Sequence, residues 1–339
     1  MNNWLITGGA GFIGHHLTER LLSADERIKI VIIDNLSNSA GIRSQSPTVR
    51  RKLGFNERSL KFFKEDILNK QALTRIIKDQ KIDVCVHLAA KVSIPDSIRN
   101  PETTIDVNVK GTYNLLEACY ANKVTTFILA SSAAVYGRIQ ALPVSEKQVL
   151  EPLSAYGASK VAGEALVSAY GNTRRIKNAI SLRIFNVYGR DQNSKYAGVV
   201  TKFASRLNKG MPPIIYGDGK QTRDFVAVED VASSILAASK LRERMGEQKK
   251  ELTPEYCQEY PSATRHNIFN IGSGVPTTIY SLATTMIKIY GLDLQPIFRD
   301  KKNKGEIKYI YPDISKAERY LGFRADEDLE RGLKNMLKL

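Results

Sequence analysis

No stretch of the 339-residue chain strings together the roughly eighteen apolar residues of a membrane-spanning helix, although 42% of its residues are apolar. The chain is therefore expected to lie off the membrane, with enough apolar material for two domains or one large domain with a cap. Cysteine is scarce: Cys85, Cys119 and Cys257 are odd in number and far apart, which argues against a disulfide framework or a thiolate metal site. Cys85 and Cys119 fall within apolar or helical patterns and read as small core residues, and no metal is expected. The opening "MNNWLITGGAGFIG" has no basic region, apolar core and cleavage site in succession, so the expected location is cytoplasmic. Acidic residues are outnumbered by basic ones, 35 to 50, for a formal charge of +15. Such an excess suits an anionic small molecule, a nucleic acid or simply a lysine-rich surface. The basic clusters "RRK" (50–52), "QKKE" (248–251) and "DKKNK" (300–304) lack the interleaved aromatics that stack on bases, so no nucleic-acid partner is expected. Internal repeats and low-complexity tracts are absent as well.

What is present is alternation. Short apolar runs ("WLIT", "IKIVIID", "LKFFKED", "DVCVHLAA", "TTFILASS", "AISLRIF") are separated by helical patterns, notably 101–121, which opens with Pro101 at a suitable first-turn position. Strands alternating with helices predict right-handed β-α-β units and a doubly wound parallel α/β sheet. From about Asn186 the pattern loosens into Gly/Pro-rich loops such as "NKGMPPIIYGDGKQTRDF", with a further helix over 228–241. The expected organisation is a nucleotide-binding domain over 1–184, with about 223–241 returning to it. A smaller α/β substrate domain, C-terminal, would comprise 185–222 and 242–339. The polar 242–266 reads as a surface insertion.

"LITGGAGFIG" runs a strand into Gly8, Gly11 and Gly14, then a helix from about Phe12 and Ile13. Glycines let the backbone turn tightly and approach a pyrophosphate, while the helix start offers free N–H groups. An ordinary glycine-rich turn would not need a strand before it and a helix after it. The first domain thus reads as a Rossmann-type dinucleotide-binding unit. About twenty residues on, "VIIDNLS" ends the second strand with Asp34 and Asn35. An acid there can accept both adenosine ribose hydroxyls and would repel a 2′-phosphate, which favours NAD over NADP. Asp66 and Ile67 in "KEDI" fall where an adenine could be flanked. Leu88, Ala89, Ala90 and Lys91 in "HLAAK" let backbone approach the cofactor.

"YGASK" places Tyr156 and Lys160 on one face of a helix. A phenol's pKa of about 10 is too high for a base at neutral pH. An ammonium one turn away, with a cationic nicotinamide nearby, is expected to lower it. Such a tyrosine can take a hydroxyl proton as hydride leaves the same carbon for NAD. Alone, the pair could be a surface Tyr and Lys; together with the glycine loop it forms a constellation.

At this point the chain resembles the extended short-chain dehydrogenase/reductase family, specifically nucleotide-sugar 4-epimerases of the UDP-glucose/UDP-N-acetylglucosamine type. "GGAGFIG", "DNLS", "EDI", "HLAA", "NVKGTYNLLEA", "SSAAVYG", "YGASK", "RIFNVYG", "YGDGKQTRDFVAVEDV" and "FNIGSG" occur in family order over nearly the whole chain. The resemblance implies that Ser132 hydrogen-bonds the sugar 4-hydroxyl, Tyr156 is the acid/base and Lys160 also holds the nicotinamide ribose. It places Asn108 among the cofactor contacts. Asn186 and Arg223 would hold a diphosphate, with Ile214 and Tyr216 flanking the base, and Ser93, Val199 and Glu306 would be further substrate contacts. Read without it, Asn186 could cap a turn, and Arg223 could pair with Asp224 or Asp230 at the surface. A UDP-sugar substrate and a homodimer through helices near 101–121 and 154–170 are implied. Two departures stand out. "KKNKGEI" puts Asn303 where the family has a second phosphate-binding Arg, with Lys302 and Lys304 beside it; a lysine could serve as a point charge but not a bidentate fork. The 242–266 insertion is the other.

The related 4,6-dehydratases carry Asp-Glu before the Val-Tyr of "SSAAVYG". This chain has Ala133 and Ala134, and a methyl group neither donates nor accepts a proton. Elimination of water has no obvious catalyst, whereas epimerisation needs none. "GRDQNSKYAGVVTKF" and "SIPDSIRNP" look more like epimerases acting on N-acetylhexosamines or with dual specificity. Ile310 aligns near the residue that gates bulky C2 substituents, although Tyr309 and Tyr311 flank it. A UDP-glucuronic acid 4-epimerase, a nucleotide-sugar 4-ketoreductase and a non-catalytic NAD-binding sensor are the alternatives; the last is disfavoured because Tyr156 and Lys160 are both kept.

Overall fold

A computed structural model describes residues 3–37, 59–192, 198–248, 267–300 and 307–337. Glu306, Lys302, Asn303, Lys304 and most of the 242–266 insertion lie outside the described residues.

Seven parallel strands form one sheet: β1 (Asn3–Thr7), β2 (Lys29–Asp34), β3 (Leu60–Lys64), β4 (Val84–His87), β5 (Thr126–Ser132), β6 (Asn178–Ile184) and β7 (Ile268–Ile271), in the order β3-β2-β1-β4-β5-β6-β7. The six runs read as strands all form. β7 was not foreseen, because a four-residue apolar run behind a polar segment carries no periodicity that separates strand from helix.

Period-two alternation sorts the strand side chains onto two cores. Trp4, Ile6, Ile30, Ile32, Val84, Val86 and Ile128 meet Leu17 and Leu21 of helix α1 (Phe12–Ala24) on one face. Leu5, Val31, Ile33, Cys85, Phe127 and Leu129 meet α2 (Lys70–Gln80), α3 (Gly111–Ala121) and α4 (Ala155–Asn172) on the other. Fully burying each such Leu, Ile or Val contributes about 1.5–3 kcal/mol. Cys85 and Cys119 are buried free thiols in the second core. The helix expected over 101–121 forms, with a π-turn, Asp106–Lys110, set between Pro101–Ile105 and α3.

The chain leaves β1 for β2 on one side, while β4 adds on the other. The reversal leaves a crevice beyond the carboxyl ends of β1 and β4, the place where an open α/β sheet binds ligands. After β6 come small ribbons: Asn186–Tyr188 with Phe225–Ala227, Thr222–Arg223 with Thr277–Thr278, and Ile214–Tyr216 with Ile297–Arg299. They surround a third core built on Phe203, Ile215, Phe225, Leu282, Met286 and Leu333. Helix α5 (Val228–Ser239) packs on α1, and the Ser315–Leu321 helix sends Ala317, Tyr320 and Leu321 into the first core. Beyond residue 184 the chain therefore crosses between sheet and smaller part more than once. Among the described residues no helix is long and apolar enough to cross a membrane.

Candidate active site

A cleft of ≈ 360 Å³ opens at the strand ends. Gly8, Gly11, Phe12, Ile13 and Gly14 line it, followed by Asp34, Asn35, Asp66 and Ile67 along β2 and β3. Leu88, Ala89, Ala90 and Lys91 after β4, and Ser132, Tyr156 and Lys160, are the other residues singled out in the sequence that line it.

At the glycine loop, Gly8 sits at φ +69°, and a Cβ there would fall 2.6 Å from the Ala89 backbone nitrogen. A Cβ on Gly14 would fall 2.5 Å from the Gly9 Cα, so only glycine lets α1 pack this close to the loop. Gly11, at the N-cap of α1, contributes no side-chain cap, which leaves first-turn N–H groups for an anion. Asp34 accepts from the Ala10 N–H at 3.0 Å through one carboxylate oxygen and from the Leu36 N–H at 2.8 Å through the other. Each oxygen keeps a further lone pair, so the carboxylate braces the loop and can still accept hydroxyls. Burial raises its pKa, and these two backbone bonds oppose the rise. Asn35 Nδ2 donates to Asp66 Oδ2 at 2.7 Å, which ties the ends of β2 and β3 together. A glycine turn without Cβ atoms, an uncapped helix start and an acid at the second strand end fit a dinucleotide.

Tyr156 and Lys160 project from the first turns of α4, whose N-cap Ser154 accepts from the Gly157 N–H at 3.1 Å. Ser132 stands beside Tyr156 and favours its ionised form, while its Oγ accepts from the Ala134 N–H at 3.2 Å and starts the short Ala133–Val135 turn. Lys160 Nζ lies 6.0 Å from the Tyr156 ring centroid and donates to the Ala130 carbonyl at 2.8 Å. One expectation needs correction. The lysine does not by itself bring the phenol down: burial holds Tyr156 above its ordinary pKa, and Ser132 offsets part of this. The lysine is itself lowered to about 8 by burial, against the pull of Glu164.

Beneath this trio lies a buried polar network. Glu164, one turn beyond Lys160, accepts from Ser131 Oγ at 2.5 Å and from Arg183 Nη2 at 2.8 Å. The Arg183 guanidinium stacks over Tyr136, whose hydroxyl donates to Asn270. The network clamps β5, β6, β7 and α4 together directly behind Ser132. Glu164→Ala would leave the Arg183 charge, 3% exposed, uncompensated. The expected cost is about 3–5 kcal/mol, read by denaturant unfolding, whereas an apolar replacement of both partners should be far milder.

Other singled-out residues do not line the cleft. Asn108 stands behind it: Oδ1 accepts from the Lys91 N–H at 2.8 Å, while Nδ2 donates to the Lys91 carbonyl at 3.0 Å and to Ser159 Oγ at 2.9 Å. Ser93 caps the Ile94–Arg99 helix, accepting from the Asp96 N–H at 3.2 Å. Asn186 Nδ2 donates to the Asp224 carbonyl at 2.8 Å and so joins the Asn186–Tyr188 and Phe225–Ala227 strands, although its neighbours Phe185 and Val187 do line the cleft. Arg223 is not paired with Asp224 or Asp230. Asp224 accepts from Ser273 and Val275, Asp230 from the Asp326 and Glu327 N–H groups, and Arg223 donates to the Thr222 and Lys308 carbonyls. Val199 opens a helix; Ile214 and Tyr216 sit on the ribbon with Ile297–Arg299. Ile310 is 4% exposed and packs with Val135, Tyr136, Val144 and Phe185, whereas Tyr309 is 42% exposed. Lining residues that went unread include Glu65, Val92, Val107, Ile184, Phe185 and Gln192. For Ile184 and Phe185 the end of a sheet strand was the available signal, and for Glu65 the "KEDI" run; Val107 lies in the π-turn, and no motif marks Val92 or Gln192. Among the described residues no group of His, Cys, Asp and Glu could hold a metal ion.

A dinucleotide cleft whose far end carries Ser, Tyr and Lys defines a short-chain dehydrogenase/reductase type of site. A profile of the family described as GDP-mannose 4,6 dehydratase matches residues 5–336. A UDP-glucose 4-epimerase of Mycolicibacterium smegmatis is 32% identical over 97% of this chain and 95% of its own length. The structure of a UDP-N-acetylglucosamine 4-epimerase from Methanobrevibacter ruminantium, in complex with UDP-N-acetylmuramic acid, superposes at a TM-score of 0.81 and 31% identity. The match covers 99% of this chain and 97% of that one. A UDP-glucuronic acid 4-epimerase from Bacillus cereus, solved with UDP-glucuronic acid and NAD, gives 0.81 and 30% over 99% and 98%. The chain belongs to the extended short-chain dehydrogenase/reductase family, among its nucleotide-sugar 4-epimerases.

Proposed function

We propose that the protein is an NAD-dependent UDP-sugar 4-epimerase that inverts C4 of a UDP-hexose through a transient 4-keto sugar, with UDP-N-acetylglucosamine and UDP-glucose as its substrates. The observation that carries this reading is the turn after Ser132. It presents a hydroxyl beside Tyr156 in the cleft, and then two alanines where elimination of water would need an acid and a base. The dinucleotide would be held by Gly8, Gly11, Gly14 and Asp34, and supplies reversible acceptance of the C4 hydride. Tyr156 takes the C4 hydroxyl proton and returns it after the keto sugar has turned over. Ser132 orients that hydroxyl. Lys160, anchored on the Ala130 carbonyl, keeps its charge beside the phenol and favours the phenolate.

Asn186 and Arg223 are assigned to the diphosphate, with Ile214 and Tyr216 at the base. Ile310 lies in the core behind the cleft-lining Phe185, and its small side chain is proposed to give that wall room for an N-acetyl group. NMR analysis of products from UDP-glucose, UDP-N-acetylglucosamine and UDP-glucuronic acid, side by side, tests the assignment. The expected result is the C4 epimer of the first two; absence of turnover on the acetylated sugar would sink the Ile310 argument, and conversion of the uronate alone would favour the uronic-acid reading. Pairing of two copies through the 101–121 and 154–170 helices is also part of the proposal. It is supported by the exposed Ile98 (65%), Tyr113 and Tyr120, and sedimentation would reveal it.

A further inference from the structure

His87, the last residue of β4, is 1% exposed and touches no surface of the cleft, yet it is the hub between the two halves of the site. Its Nδ1 lies 2.7 Å from Thr7 Oγ1 at the end of β1, and its Nε2 lies 3.0 Å from Thr112 Oγ1 in α3. Bond directions around the ring follow from chemistry alone. Thr112 Oγ1 stands 2.6 Å from the Asn108 carbonyl, which can only accept, so the threonine proton points there. The hydroxyl's lone pair is then what faces His87, and Nε2 must carry a proton. Nδ1 is left bare and accepts the Thr7 hydroxyl proton, while Thr7 Oγ1 receives the Ala89 N–H at 3.5 Å. Burial, and then the Lys160 charge, lower the imidazole to about 3, so the ring is neutral at working pH.

Followed outward, the chain of bonds spans the site. Thr112 holds the carbonyl of Asn108, in the π-turn; Asn108 holds both backbone groups of Lys91 and the Ser159 hydroxyl; Ser159 Oγ donates to the Tyr156 carbonyl at 2.7 Å. At the other end Thr7 precedes the Gly8 turn, and its carbonyl accepts from the Leu88 N–H at 3.0 Å. The line therefore runs from the glycine loop, through the Leu88–Lys91 backbone, to the first turn of the tyrosine helix. Thr7, His87, Asn108, Thr112 and Ser159 are buried, which makes the bonds among them costly to lose.

We propose that His87, fixed as the neutral Nε2–H tautomer by Thr7 and Thr112, is a positioning residue that sets the Tyr156 helix against the cofactor loop. The Thr112 hydroxyl transmits this through the π-turn. The kinetic part rests on the epimerase reading; the tautomer part does not.

Two Thr112 variants of the cofactor-loaded enzyme separate hydroxyl from packing. Thr112→Val keeps the volume and loses the hydroxyl; kcat should fall roughly tenfold or more with the KM for the UDP-sugar unchanged, because alignment is lost and nucleotide contacts are not. Thr112→Ser keeps the hydroxyl and loses a buried methyl; it should melt earlier yet hold kcat near that of the parent. The ¹⁵N spectrum of histidine-labelled parent protein, with His87→Asn to assign the signal, should show Nε2–H and bare Nδ1. An Nδ1–H or doubly protonated ring, a Val variant with unchanged kcat, or a Ser variant as slow as the Val one would each overturn the proposal. If the parent turns over no UDP-sugar, the epimerase reading fails, and the tautomer still decides for or against the hub.

Discussion

Tyr156→Phe is expected to reduce epimerase turnover by a factor of roughly 10² or more while cofactor and nucleotide-sugar binding persist. The ring keeps its place at the start of α4 beneath Lys160, so the cleft keeps its shape. What is lost is the phenol oxygen beside Ser132, the group proposed to exchange a proton with the C4 hydroxyl. Because burial holds this phenol above its ordinary pKa, its ionisation is expected to need positive charge close by, which Lys160 is proposed to supply. Lys160→Met should accordingly impair turnover as well, and weaken cofactor retention in addition, since the ammonium is anchored at the floor of the cleft. Steady-state kinetics on one UDP-sugar, with fluorescence titration of bound cofactor, checks both variants. A Phe variant as active as the parent would refute the acid/base assignment.

Gly8→Ala is expected to abolish cofactor loading. At φ +69° an L side chain is strained by itself, at about 1–2 kcal/mol. The added carbon would also fall 2.6 Å from the nitrogen and 2.8 Å from the Cα of Ala89, backbone atoms that Thr7 and the Leu88–Lys91 loop hold in place. Relief requires the glycine loop or the Leu88–Lys91 loop to move, and both line the cleft. The purified variant should carry little dinucleotide when the cofactor released by denaturation is measured by absorbance. Its affinity should drop by about 10² or more, the scale reached when close positioning is lost by an ångström. A variant that retains a full complement would show that the loop does not meet the pyrophosphate.

Much of this site was legible because its chemistry is written in local motifs. The glycine turn, Asp34, the Leu88–Lys91 run and the Tyr156–Lys160 spacing each lie within a few residues of a strand end, and parallel strands bring their ends together. Ala133 and Ala134 were readable for the same reason, as a local departure from an expected pair. The fold was legible down to six strands of the sheet, since each was an apolar run bounded by polar sequence. Less visible was whatever depends on distant partners. β7 is too short to declare itself, and nothing in the helical pattern of 101–121 marks the π-turn at 106–110 within it. Asn108 reads as a contact in sequence but acts through Lys91 and Ser159. The downward shift expected for Tyr156 from the ammonium and a cationic nicotinamide together left out the burial that opposes it. Arg223 and Asp224 are adjacent in sequence yet turn to different partners, because Asp224 is drawn into the loop at Ser273.

The claim that matters most is that hydride leaves C4 and returns to the same carbon within one binding event. UDP-glucose deuterated at C4, incubated with the cofactor-loaded enzyme in ordinary water, tests it directly by NMR and mass spectrometry of the recovered nucleotide sugars. The account predicts a C4 epimer that retains its deuterium fully, with no steady build-up of reduced nicotinamide absorbance in the presence of free NAD. Loss of the label to solvent, or accumulation of reduced cofactor with an oxidised or dehydrated sugar, would contradict it.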